Sequence, residues 1–141
     1  MFGFNPQRMF LHIQNTRTLK ELQLDFSGSF PFLRLEFFSK PHRKGMATAE
    51  KHKLNPFLQI VTVRTQHRNG AIEIKEHHTI EEVEQLLQDE YDLPTQIYHY
   101  TCNGWVMTDA ADKATLRELN EHGRRCFEED HKVYAQCKLL K

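Results

Sequence analysis

The pattern threonine, aliphatic, any residue, glutamate, aliphatic recurs along this chain as Thr18-Leu19-Lys20-Glu21-Leu22, Thr79-Ile80-Glu81-Glu82-Val83 and Thr115-Leu116-Arg117-Glu118-Leu119. Each copy reads as the start of a helix. The threonine hydroxyl accepts a hydrogen bond from a free N–H of the first turn, and the glutamate three residues on reaches back to the threonine's own N–H. Three helix starts fixed in this way divide the chain into segments and leave each segment few alternatives.

The segments before the first two copies match in pattern. Residues 10–32 set against residues 71–93 need no gap, and apolar positions coincide at Leu11 with Ile72, Ile13 with Ile74, Leu19 with Ile80, Leu22 with Val83, Phe26 with Leu87, Phe30 with Tyr91 and Phe32 with Leu93. An internal repeat explains this better than two unrelated amphipathic stretches. In each half an alternating stretch (10–14 or 71–75) reads as a strand with one buried face. The helix that follows carries an apolar stripe at i, i+3, i+7 and i+11. Pro31 and Pro94 close these helices, because the residue before a proline is pushed from helical geometry. A second strand follows: Leu33, Leu35 and Phe37 alternate in the first half, and 96–101 turns at Cys102-Asn103-Gly104 into a hairpin partner, Trp105 to Thr108, in the second.

The third motif predicts a short helix from Leu116 to about His122, ended by Gly123 as a left-handed cap. Its first-half counterpart is Phe57-Leu58-Gln59-Ile60-Val61. There the β-branched run Ile60 to Val63 argues for a strand and the repeat argues for a helix; the helix is favoured, with Pro56 near its first turn. The periodicity of residues 126–141 fits neither form. The expected fold is therefore α+β: duplicated strand-helix-strand units in one mixed sheet with helices on one face, either ferredoxin-like or paired β-grasp-like. The expected organisation is an N-terminal extension (1–8), one domain (9–125) of two halves (about 9–69 and 70–125), and a C-terminal tail (126–141).

The run from Leu22 to Lys44, with Phe30-Pro31, Leu33-Arg34-Leu35-Glu36-Phe37-Phe38 and Lys40-Pro41-His42, resembles a family of uncharacterised bacterial proteins. Gly70-Ala71-Ile72-Glu73-Ile74, the Asn103-Gly104-Trp105 turn and residues 112–123 are similar to the same family. The resemblance covers about residues 9–125. It implies a domain boundary and no chemistry.

A length of 141 residues suits one core, and 27% charged residues balancing to zero give no whole-chain pull toward nucleic acid or anionic membrane. Cys102, Cys126 and Cys137 are odd in number and lack C-x-x-C spacing, which suggests unpaired thiols in a reducing, cytoplasmic setting. No apolar run is long enough for a membrane helix.

Binding candidates fall in two groups. Lys40, Arg43, Lys44, Lys51 and Lys53, with His42 and His52, face a single acid, Glu50, in a loop suited to holding phosphates. Tyr98, Tyr100 and Trp105 are the residue types that anchor protein partners. His77-His78 reads as loop filler before a cap. His99, Cys102, His122 and Cys126 are zinc-ligand types, but strand alternation and a helix stop at Gly123 would keep them apart. Cys102 could also be a reactive thiol, yet no fixed cation adjoins it. No nucleophile elbow or phosphate-binding glycine loop occurs. The expectation is a small non-catalytic interaction domain with an unknown protein partner and no cofactor, catalytic residue or metal. Binding of RNA or a phosphorylated partner through the basic loop is one alternative, and a metal- or thiol-dependent enzyme is the other.

Overall fold

The computed structural model describes residues 8–41, 50–108 and 113–139, with side chains as far as residue 132. The elements in chain order are β1 (Arg8–Ile13), α1 (Leu19–Ser29), β2 (Leu33–Phe37), a 3-10 turn (Glu50–His52), α2 (Ile60–Val63), β3 (Gly70–Lys75), α3 (Ile80–Tyr91), β4 (Thr95–Thr101), β5 (Gly104–Met107) and α4 (Leu116–Leu139). The fold is α+β.

The capping boxes close as the sequence requires. The Glu21 and Glu82 amides each donate to the threonine hydroxyl three residues earlier at 3.2 Å, and both glutamates accept from the cap N–H in return. Thr115 Oγ1 accepts from the Glu118 amide at 3.2 Å. The stripes then bury as one core: Leu19, Leu22, Phe26 and Phe30 from the first half meet Ile80, Val83, Leu87 and Tyr91 from the second, with Leu11, Ile13, Leu35, Ile74 and Ile97 from the strands. Burial of this many large apolar side chains is the main stabilising term.

The sheet arrangement differs from the expected single mixed sheet. There are two antiparallel sheets, one of β1 and β3 and one ordered β2-β4-β5. β1 pairs β3 with Leu11 opposite Ile72, and β2 pairs β4 with Leu35 opposite Ile97. α1 and α3 therefore each leave one sheet and enter the other. A ferredoxin-like plait would hold all of these strands in one sheet, and paired lobes would keep each half's strands to themselves, so neither describes the molecule. The reason is that alternation fixes which face of a strand is buried but not which strand lies beside it.

Within each half the backbone makes matching crossed bonds. The Ile60 amide donates to Arg17 O at 2.8 Å as Leu116 does to His78 O at 2.9 Å, and Val61 to Asn15 O at 3.2 Å as Arg117 does to Glu76 O at 2.9 Å. A helix forms near where the repeat placed one, but it is the four residues Ile60–Val63, with Gln59 at the cap, and residues 57–59 are not helical. The helix is the β-branched run itself, confined to a single turn. Pro56 sits before it, accepting from the Lys20 amide at 2.7 Å. Arg64, buried, then ties the halves together: its guanidinium donates to Tyr91 O at 3.1 Å and to Asn15 Oδ1 at 2.9 Å.

α4 is the largest departure from expectation. It runs through Gly123 to Leu139, so the proposed boundary after residue 125 falls inside one helix. Gly123 is no left-handed cap. A Cβ at that position would lie 2.6 Å from Phe32 Cβ and 3.1 Å from Tyr100 O, so the missing side chain lets α4 approach the second sheet.

Glu84 is fully buried in α3 and accepts from the Ile97 amide at 2.7 Å. Burial pushes its carboxyl from the ordinary 4.5 up to about 8, the Ile97 bond opposing the rise and Glu81 adding to it. Between these two values the folded chain binds more protons than the unfolded chain. The group's stabilising contribution is therefore whole below the ordinary carboxylate range and is lost as pH rises through about 8. Glu84→Gln keeps an acceptor for Ile97 and removes the titration. Urea unfolding between roughly pH 6 and pH 9 should show the wild type losing about 2–3 kcal/mol relative to this variant, and parallel curves would remove Glu84 as the cause.

Candidate functional site

The outer face of the second sheet is built by strand alternation. Leu33 and Leu35 point to the core, so Arg34 on β2, Tyr98 and Tyr100 on β4, and Trp105 on β5 share the opposite face. The β4–β5 turn that delivers Trp105 is set by Gly104 at φ +99°, a conformation costly to a residue with a Cβ. Thr101 Oγ1 donates to Gly104 O at 2.7 Å and accepts from the Asn103 amide at 3.1 Å.

The predicted anchors divide on this face. Tyr100 lies edge-on to Trp105 with centroids 5.5 Å apart, and the Arg34 guanidinium sits 4.2 Å over the tryptophan ring. Phe32 and Phe127 complete the aromatic group at 5.5 Å from each other. Phe127 remains 40% exposed there, and Val106, next to Trp105 on β5 but on the other face, is 39% exposed. Tyr98 serves a different purpose. It is 8% exposed, and its hydroxyl donates to Glu50 Oε1 at 2.6 Å, so it fastens the end of the basic loop rather than awaiting a partner. Burial raises its hydroxyl pKa, and the Glu50 carboxylate raises it further.

Of the basic candidates, Arg43 and Lys44 lie outside the described residues. Lys40 and Lys51 are exposed. Lys53 is already engaged, with Nζ 3.0 Å from Glu50 Oε2 and 4.8 Å over the Tyr98 ring. The single acid of this loop thus neutralises one of its cations and receives the tyrosine hydroxyl.

Strand edges separate more sharply. The outward carbonyls of β2 are all taken: Leu33 O accepts from Ser27 Oγ at 2.9 Å, Leu35 O from Gln23 Nε2 at 2.9 Å and Phe37 O from the Leu54 amide at 2.8 Å. Among the described residues no strand pairs the outer edge of β5. The second sheet therefore has one covered edge and one open edge.

The cysteine and histidine candidates were expected to stay apart, and the structure corrects this in part. Cys102 in the turn and Cys126 on α4 form a disulfide across 24 residues, with Cα atoms 4.9 Å apart. Because α4 does not stop at Gly123, it carries Cys126 to the hairpin. His122, one turn earlier on α4, places Nε2 3.6 Å from Cys126 Sγ. His99 points elsewhere, its Nδ1 2.6 Å from Thr108 Oγ1. Among the described residues no group of three histidine, cysteine or acidic side chains has the arrangement of a metal site. His78 Nδ1 accepts from the Lys75 amide at 3.0 Å and shapes the turn before α3. The spacing of Cys102 and Cys126 gave no sign of their pairing; the signal would have been to read Gly123 as a close-approach residue inside a longer helix.

No helix among the described residues is long and apolar enough to cross a membrane. Comparisons with known protein families, curated proteins and solved structures give no match.

Gly123→Ala weighs two effects of opposite sign. Helix propensity favours alanine by about 1 kcal/mol, whereas forcing a methyl into a filled interface costs about 1–3 kcal/mol. The obstructing atoms are a Cβ and a backbone oxygen, which cannot swing aside. The variant should lower the urea midpoint, and a raised midpoint would mean that α4 does not press on Phe32 and Tyr100.

Proposed function

We propose that this chain is a small non-catalytic interaction domain that takes an extended segment of a partner protein along the open edge of β5. The observation that carries this reading is the asymmetry of the second sheet: α1 side chains and the Leu54 amide fill the β2 edge, while β5, paired to β4 on one side, has no strand on its outer edge among the described residues. An added strand would complete the backbone hydrogen bonds of β5. Val106 and the Trp105–Arg34 pair flank that edge and supply side-chain selectivity. The neutral overall charge and the pairing of Lys53 with Glu50 favour this reading over polyanion binding. We further propose that the two halves descend from one doubled unit; the repeated capping boxes and the matching crossed bonds support it.

Affinity capture followed by titration of the captured protein tests the interaction. Val106→Lys puts a charge beside the edge, as natural edge strands do to prevent pairing, and should weaken binding by about tenfold or more. Trp105→Ala should do the same by removing the anchor. Circular dichroism must show both variants folded. Binding unchanged in both would overturn the reading. Binding lost only when ionic strength rises would favour the basic loop instead.

A further inference from the structure

We propose that the Cys102–Cys126 disulfide is an exchange site for small thiols and their disulfides, entered at Sγ of Cys102 and left through Sγ of Cys126. Three features give it this direction. Cys102 is exposed in the two-residue turn between β4 and β5, so an incoming sulfur can reach it. Cys126 is 3% exposed, so an incoming sulfur has little access to it. His122 stands beside Cys126, one turn away on the same helix face, with its Nε2 3.6 Å from the buried cysteine's sulfur.

Exchange begins when a thiolate forms a bond to Cys102 Sγ as the Cys102–Cys126 bond breaks, leaving the electron pair on Cys126. His122 donates Nε2–H to that sulfur, or as imidazolium gives it the proton, and so improves the leaving group. A second thiolate then attacks the external sulfur of the mixed disulfide. A symmetrical small disulfide departs, and Cys102 leaves as a thiolate that takes a proton from solvent. Two small thiols are oxidised and one protein disulfide is reduced; the reverse reaction consumes the small disulfide. Reduction leaves α4 held to the sheet by noncovalent contacts, such as the Phe32 amide donating to Asn120 Oδ1 at 2.9 Å and the packing of Phe127 on Phe32.

The test uses the full chain with Cys137→Ser, so that the remaining cysteine of α4 does not compete. The protein is equilibrated in glutathione buffers of varied thiol-to-disulfide ratio, quenched by alkylation and read by intact mass. Both forms should be populated within that range while circular dichroism stays native. In reduced single variants, oxidised glutathione should modify Cys102 in Cys126→Ser about tenfold faster than it modifies Cys126 in Cys102→Ser. His122→Gln should shift the equilibrium about fivefold toward the disulfide, roughly the effect of losing one partly exposed hydrogen bond to a charged sulfur. If a single variant fails to fold, rapid acid quench and peptide mapping of the two-cysteine protein read the same order of attack. A bond that resists excess dithiothreitol in the folded protein, a bond that never forms in oxidised glutathione, equal reactivity of the two sulfurs, or an equilibrium indifferent to His122 would each overturn the proposal.

Discussion

Neither half of this chain can pair all of its own strands. β1 and β2 come from the first half and β3 and β4 from the second, yet β1 bonds to β3 and β2 to β4. A strand left without a neighbour exposes a row of backbone donors and acceptors, and burying them unpaired costs more than most side-chain contacts return. The halves therefore form one cooperative unit, and the rest of the molecule follows from that requirement. α1 must pass from the first sheet to the second, as must α3, which brings their apolar stripes into one core with residues of both sheets. The linker between the halves has to be fixed at both ends. Arg64 does this through Tyr91 O and Asn15. Asp92, left-handed at φ 55°, accepts from the Thr65 and Gln66 amides, which hold its carboxyl below the usual range against the opposing effect of burial.

Local structure was legible in the sequence to the extent that it is decided by neighbours within one turn. The capping threonines, the stripes at Leu19 and Ile80 and the hairpin at Gly104 all depend on nearby residues, and they form where the pattern puts them. Partner choice between strands is a different matter. Leu35 alternates in the same way whether its neighbour is β1 or β4, so the division into two sheets leaves no mark in the periodicity. Gly123 was ambiguous for a physical reason. Glycine is selected both for left-handed backbone and for close approach, and only the position of Phe32 distinguishes the two. The misreading then spread, because a helix ending there hides both Cys126 and its distance from Cys102.

Among the site residues, residue type carried less than context. Tyr98 and Tyr100 are two apart on one strand and face the same way, yet Tyr98 is bound to Glu50 beneath Lys53 while Tyr100 lies edge-on to Trp105 at the sheet's outer side. What separates them is the return of the chain at Glu50, 48 residues away in sequence. No local rule reports such a contact. The open edge of β5 was equally hidden, since it is defined by the side chains of α1 occupying the other edge, and Ser27 and Gln23 look like ordinary polar positions on a helix.

The open edge and the disulfide lie on the same hairpin, and this couples them. A two-stranded hairpin is marginal by itself, and β5 is only four residues long. It is steadied from one side by β4 and at its tip by the bond from Cys102 to α4, which Gly123 holds close to the sheet. With that bond intact, a partner strand of the kind proposed would meet an edge whose backbone is already ordered, and little conformational entropy would be lost on binding. With the bond reduced, the tip frays more readily and the same contacts are worth less. The sulfur chemistry at residue 102 and the hydrogen-bonding capacity of residues 104–107 thus act on one element, so a change in the first alters the strength of the second without moving any residue of the core.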